Sequence, residues 1–286
     1  MPRKAAQTQT RQRKESAPPA GVETRTTARL GWIPDLPDRR DHFYSAPTPV
    51  LVKLPTKVDL RKQCPASYDQ GRIGSCTANA IGAAVQFNRM KKGQSPDFVP
   101  SRLFIYYNER AMEGSVNSDA GAMIRDGIKS VHREGACPET LWPYDPNPFP
   151  PEGNNQHAIQ KPAAACYKAA QKYQAIAYHR LVQNNSQMRG CLAEGFPFVF
   201  GFTCYESIFS DNTTKTGDII IPKDGERPIG GHSVLAVGYD DAANLFIIRN
   251  SWGTTWGQKG YGTIPYAYLI DASLSADFWT IRVIEA

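Results

Sequence analysis

The period of the apolar positions changes part-way along this chain of 286 residues. From Cys76 to Lys92, in CTANAIGAAVQFNRMKK, Ala78, Ile81 and Val85 recur at helical spacing beside Ala84 and Asn88. Lys and Arg fill the last turn and Gly93 follows, so the pattern predicts a helix with a glycine stop. A second helix is expected from Met123 to Gly135 and another over Ser186–Glu194. VDLR, Val58 to Arg61, reads as a short early strand. After residue 194 the character switches. FPFVFGFTCY, SVLAVGYDD, LFIIRNSWG, GYGTIPY and FWTIRVIE are short β-branched and aromatic runs parted by turn residues, as in an antiparallel sheet or barrel. Helices first and strands afterwards predict an α+β protein of two lobes with a substrate cleft between them.

Two stretches fit neither period. Residues 31–54, GWIPDLPDRRDHFYSAPTPVLVKL, interleave Trp32, Phe43 and Tyr44 with Pro34, Pro37, Pro47 and Pro49. Proline denies this segment a helix, so it is expected to be extended, and its apolar side chains need a surface to lie on. It is read as a flap over the cleft or a strap on the back of a lobe, and as a flap it would be an intramolecular regulator. Residues 143–162 are expected to be a proline-rich loop without regular structure. The division expected is a solvated tail at 1–30, the extended segment at 31–54, a mainly helical lobe at 55–178 and a mainly β lobe at 179–286, whose last strand can cross back.

Charge changes this picture little. The net charge is +6, but residues 1–30 hold seven Lys/Arg against Glu15 and Glu23, so nearly all of the basicity belongs to the tail. That segment is too polar to fold alone, and the remainder gives no reason to expect a nucleic-acid partner. No apolar run approaches the roughly 18 residues of a membrane span, so no membrane association is expected. The N-terminus lacks the apolar core of a secretory signal, which points to the cytoplasm or to a non-Sec export route. Cys64, Cys76, Cys137, Cys166, Cys191 and Cys204 form no CxxC pair and no zinc spacing. No metal and no cofactor are expected, and most of these thiols should be small buried hydrophobes.

One cysteine stands apart. In QGRIGSC, Gln70 precedes Cys76 by six residues, and Cys76 begins the first predicted helix. Unpaired N–H groups and the macrodipole there favour a thiolate, and a neighbouring imidazolium would take its pKa to about 3.5–7.5. Downstream, GGHS and RNSWG supply His232 and, eighteen residues later, Asn250. An asparagine oxygen can hold one imidazole nitrogen and leave the other for the thiol, and Trp252 can lie over that bond. Singly, each segment has an ordinary explanation: a buried helix-capping cysteine, a loop glutamine, a turn with a core tryptophan. Together they furnish nucleophile, base, orienter and oxyanion donor. His42, His132, His157 and His179 lack any companion motif and are expected to be surface or structural.

These residues resemble the papain-like cysteine proteases, in a bacterial-type branch. DQGRIGSC is similar to that family's glutamine-to-cysteine segment, GGHSVLAVGYDD to its histidine strand, and NSWGTTWGQKGYG, Asn250 to Gly262, to its asparagine turn. The resemblance covers roughly Pro55 to the C-terminus. It implies a two-lobed fold, helical and β-barrel-like, and a cysteine endopeptidase that is monomeric and takes peptide or protein substrates. It also implies Cys76 as nucleophile, His232 as base, Asn250 as orienter and Gln70 as oxyanion donor. Gly121, Gly201, Gly231, Trp252 and Ala276 would lie along the substrate, with Gly201, Gly230-Gly231 and Ala276 at the second subsite, an open pocket for an apolar or aromatic side chain, and with Asp277 close enough in sequence for a basic preference instead. The chain departs from the family in places. Thr77 replaces a bulky aromatic, Ile73 and Ser118 replace both halves of a disulfide, and Ala120-Gly121 replaces a glycine pair. His232 lies 156 residues beyond Cys76, against about 130–150. A thiol-dependent acyl transferase or peptide ligase would use the same parts, and a binding protein on this scaffold would usually have lost Cys76 or His232.

Overall fold

The computed structural model describes residues 30–94 and 97–285; the basic tail up to residue 29 lies outside the described residues. In chain order the elements are β1 (Trp32–Ile33), β2 (Phe43–Tyr44), α1 (Thr48–Val52), β3 (Lys57–Asp59), α2 (Cys76–Lys91), α3 (Arg102–Glu113), β4 (Ala122–Met123), α4 (Ile124–Glu134), α5 (Gln156–Ile159), α6 (Ala164–Ala170) and β5 (Ala175–Leu181). They continue with α7 (Asn185–Ala193), β6 (Phe198–Tyr205), α8 (Asp211–Thr216), β7 (Pro228–Asp240), β8 (Leu245–Arg249), β9 (Tyr261–Pro265), α9 (Tyr266–Ile270) and β10 (Ser275–Ile284). The three helices expected from periodicity are α2, α4 and α7, each within a residue or two of its expected bounds.

Helix α2 is the axis of the molecule. Every residue from Cys76 to Arg89 is buried, so the helix is enclosed on all sides rather than half-exposed. Small side chains at Ala78, Ala80, Gly82, Ala83 and Ala84 let neighbours approach closely. Strands β6, β7 and β10 pack on it along with α3 and α4. Strand order in the main sheet is β2-β5-β10-β6-β7-β8-β9, with β3 pairing to β7. All of these pairs are antiparallel except β2 with β5. The fold is therefore α+β with a mixed sheet, in which the expected purely antiparallel lobe is amended by the parallel pairing of the N-terminal segment.

Several local expectations need correction. The segment 31–54 is extended only at first: α1 begins beyond Pro47, with a proline at its N-terminal turn, a position where the missing N–H is no loss. The 143–162 loop holds α5, capped by the Asn155 side chain on the Ala158 N–H. Helix α3 and strand β5 had no assigned pattern; β5 runs across residues 178 and 179 because it pairs with both β2 and β10. His132 lies in α4, inside the helix expected over 123–135, and His179 in β5; His132 Nδ1 lies 2.8 Å from the Ala175 carbonyl oxygen.

Candidate active site

Cys76 opens α2 and is fully buried. The residue before it, Ser75, does not cap the helix; its hydroxyl meets Tyr144 Oη at 2.7 Å and accepts from Asn79 Nδ2 at 3.0 Å. The helix-terminal N–H groups are thereby left for the sulfur. The turn ahead of Cys76 is pinned by Asp119, whose two oxygens accept from Gly74 N–H at 3.0 Å each. Backbone N–H groups of Ser233, Gly31 and Thr77 reach the sulfur, and each favours the thiolate. Burial outweighs them and pushes the Cys76 thiol up to about 12.

The strand register brings the second half of the site to this point. Strand β7 carries His232 opposite Phe202 and Ser233 opposite Gly201, so the Ser233 N–H at Cys76 places the adjacent His232 at the same helix end. Asn250 follows β8. Its Oδ1 accepts from Ser251 N–H at 2.8 Å and also lies 2.8 Å from His232 Nε2. The backbone donor identifies that atom as the oxygen, so Nε2 carries the proton and Nδ1 is the basic nitrogen. His232 Nδ1 is buried with no hydrogen-bond partner among the described residues. Burial takes the imidazole down to about 4, against the supporting bond from Asn250. With the segment seated, burial favours the neutral form of each group and works against the ion pair expected from the sequence. The physical reason is that both are shut away from water.

Trp252 lies on the imidazole, with ring centres 4.6 Å apart, and is backed by Phe209 at 5.5 Å and Trp256 at 5.7 Å. It is placed against His232 rather than in the pocket formed by Gly201, Gly231 and Ala276. Gln70 reaches the same turn through a ladder of bonds: its N–H donates to Ser251 O at 2.8 Å, and Asp69 bridges to Trp252. Its side chain is held at both ends, Oε1 accepting from Ser251 Oγ at 2.7 Å and Nε2 donating to Ile73 O at 2.8 Å. Ser251 had no assigned role in the sequence reading; its place directly after Asn250 is the signal that could have singled it out. Thr77, where the family carries an aromatic, donates to the buried Glu109 at 2.7 Å.

The cover over this site is the chain's own N-terminal segment. Strand β1 lies parallel to β4, and Gly31 O accepts from Ala122 N–H at 2.8 Å. Gly31 passes so close to Gly74 and Gly121 that a side chain there would collide with the Gly74 carbonyl. The Trp32 indole lies across Gly201 and Gly231, and a Cβ at Gly201 would overlap the ring. Ala276 pairs with Gly201, and the next residue, Asp277, accepts from Trp32 Nε1 at 3.2 Å and from Asp35 N–H at 2.7 Å. Its other oxygen accepts from Arg180 at 2.9 Å. Asp35 in turn accepts from Trp279 Nε1 at 2.9 Å and Arg125 N–H at 3.0 Å; burial, then the Asp277 charge, lifts it to about 7. The buried Arg125–Asp41 pair at 2.7 Å fastens the segment further along. The sequence reading brought Gln70, Cys76, His232 and Asn250 forward, and these four converge. Gly121, Gly201 and Gly231 meet the segment instead, and Ala276 lies beside Gly201.

Among the described residues no cluster of three or more His, Cys, Asp or Glu could hold a metal ion, and no helix is long and apolar enough to cross a membrane.

Comparison with known proteins identifies the family. The family described as papain family cysteine protease matches residues 54–269. The solved structure of xylellain, a cysteine protease from Xylella fastidiosa, is 48% identical with a TM-score of 0.84, covering 92% of this chain and 98% of that one. An uncharacterized peptidase C1-like protein of Acanthamoeba polyphaga mimivirus is 39% identical over 91% of this chain and 89% of its own. A procathepsin B from Trypanosoma congolense shares the fold alone, at 18% identity and TM-score 0.65, over 82% of this chain and 80% of that one.

Proposed function

The chain belongs to the papain family of cysteine proteases, and from that premise we propose that Cys76 is the nucleophile of peptide hydrolysis, with His232 as its base. The thiol proton passes to His232 Nδ1 as sulfur attacks the scissile carbonyl. The C–N bond breaks, His232 returns the proton to the leaving amine, and a thioester remains on Cys76. Water, deprotonated by His232, then attacks the thioester; the C–S bond breaks, the acid departs and the thiol is restored. Asn250 keeps the imidazole in the tautomer this sequence needs, and Trp252 shields their bond from water. The Gln70 amide nitrogen and the Cys76 N–H serve as donors to the oxyanion.

The observation that carries this reading is the Asn250–His232 bond, which leaves Nδ1 bare at the end of α2 where Cys76 stands. Cys76→Ala should abolish hydrolysis of fluorogenic peptides and leave the melting temperature unchanged within a few degrees. Full activity in that variant would sink the assignment.

We also propose that residues 30–41 restrain the enzyme, since Trp32 fills the pocket where a substrate side chain would enter. Gly121 and Ala122 would hold the substrate backbone, and Gly201, Gly231 and Ala276 would line its side-chain pocket. The segment must leave before a peptide can reach Cys76, and its departure rehydrates the thiol and the imidazole. The pair can then exchange its proton and become thiolate and imidazolium.

A further inference from the structure

The pocket beneath Trp32 has a floor whose charge is already matched. Asp277 is 3% exposed and stands at φ +58, a left-handed conformation that costs a non-glycine residue energy and that the surrounding structure must impose. That turn aims the carboxylate into the pocket. One oxygen accepts from Arg180, which reaches in from β5 at 2.9 Å and also donates to Asp41 of the segment at 2.9 Å; departure of the segment leaves that guanidinium to Asp277. The other takes the Trp32 indole N–H and the Asp35 backbone N–H. The walls, Gly201 and Gly231, have no side chains, and the planar ring lies flat on them.

We propose that the Asp277–Arg180 pair is a specificity determinant that makes this pocket select a planar side chain with a neutral N–H donor at its edge, tryptophan above all, over arginine or lysine. This rests on the peptidase reading above and deepens it. An acidic residue at the bottom of a pocket alone would invite a cation. Here Arg180 balances the carboxylate, so a second cation meets a guanidinium as near to Asp277 as itself. When the segment leaves, water replaces the Trp32 and Asp35 donors on Asp277, and a peptide side chain that refills the pocket expels that water and leaves one carboxylate oxygen needing a donor. A Trp side chain supplies it as Trp32 does; Phe fits the glycine walls and leaves the oxygen unpaired. A missing hydrogen bond to a charged acceptor corresponds to about ten- to a hundredfold in kcat/KM. Arg180 itself touches no peptide in this scheme; it acts through Asp277.

The test uses the full chain and its Trp32→Ala variant, with four fluorogenic dipeptides differing only in the residue for this pocket: Trp, Phe, Leu or Arg. The expected order of kcat/KM is Trp first, Phe about tenfold lower, and Arg at least as far below. Arg180→Gln should release the carboxylate's charge and raise the Arg peptide relative to Trp by about tenfold, while its circular dichroism and melting temperature report whether the variant is folded. Should Arg180→Gln fail to fold, Asp277→Asn, which tolerates positive φ, should shrink the Trp-to-Phe ratio and deepen the rejection of Arg. Equal rates for Trp and Phe, a native preference for Arg, or an unchanged profile in a folded variant would overturn the inference. Absence of hydrolysis of every peptide by both the full chain and Trp32→Ala would remove the peptidase reading and this inference with it. Hydrolysis without the expected order removes the inference alone.

Discussion

Replacing Trp32 by alanine isolates what the N-terminal segment does. The indole is 8% exposed and lies on Gly201 and Gly231 with its N–H on Asp277. Truncating a buried aromatic to alanine costs about 3–5 kcal/mol. If the ring is solvated once the segment lifts, that whole cost falls on the covered form and none on the uncovered one. Taking about 1.4 kcal/mol per factor of ten, the uncovered population should grow by about two to three and a half powers of ten, until it becomes the major form. The assay is the rate at which iodoacetamide alkylates Cys76 at neutral pH, read beside kcat/KM on a small peptide. Both should rise together by about a hundredfold. A folded Trp32→Ala protein whose alkylation rate and kinetics match the parent chain would refute the argument. A fall in melting temperature with unchanged rates would make the segment a strap that stabilises the fold and leaves the cleft open.

Other measurements bear on the same geometry. With the segment seated, burial holds the Cys76 thiol at about 12 and the His232 imidazole near 4. Burial favours the neutral form of both and keeps the thiol from the reagent, so alkylation of the parent chain should stay slow across the neutral range. In Trp32→Ala the rehydrated pair should add a plateau on the acid side, and a rate that only climbs toward the ordinary thiol range with no such plateau would argue against thiolate–imidazolium formation. Gln70→Ala should lower kcat by about 10²–10³ with little change in KM; a KM effect alone would make Gln70 a structural or binding residue. Asn250→Ala frees the imidazole to turn and change tautomer, and should lower kcat by about tenfold or more while the thiol remains titratable by alkylation. Full turnover in a folded Asn250→Ala variant would remove the orienting role.

The three periodic helices and most strands of the sheet were legible because each records a local rule. Helical spacing with a glycine stop yields α2, and β-branched runs between turn residues yield β6 to β10. Helix α3 carries RLFIYYNERAME, whose crowded aromatics suit a strand as well as a helix; packing against α2 and α4 decides between them. Strand β5, AIAYHRL, has a mixed burial pattern, and only pairing with β10 on one edge and β2 on the other makes it a strand. The four candidate catalytic residues were recoverable because their chemistry demands particular residue types in motifs that stay contiguous in the chain.

What the sequence by itself determined, then, is the set of parts: a cysteine at a helix start, a histidine on a strand, an asparagine turn, and an apolar N-terminal segment barred from forming one continuous helix by its prolines. The protonation state of the pair and the occupant of the cleft were decided only by tertiary structure. The local motif favours an ion pair of Cys76 and His232, whereas burial in the folded, covered cleft acts against the charged form of each. The pocket floor is likewise a product of distance in the chain. Trp32 and Asp277 are separated by 245 positions, and Arg180 and Asp277 by 97. No periodicity or spacing rule reaches across such separations, whereas a carboxylate buried in the fold must find its donors wherever the packing brings them.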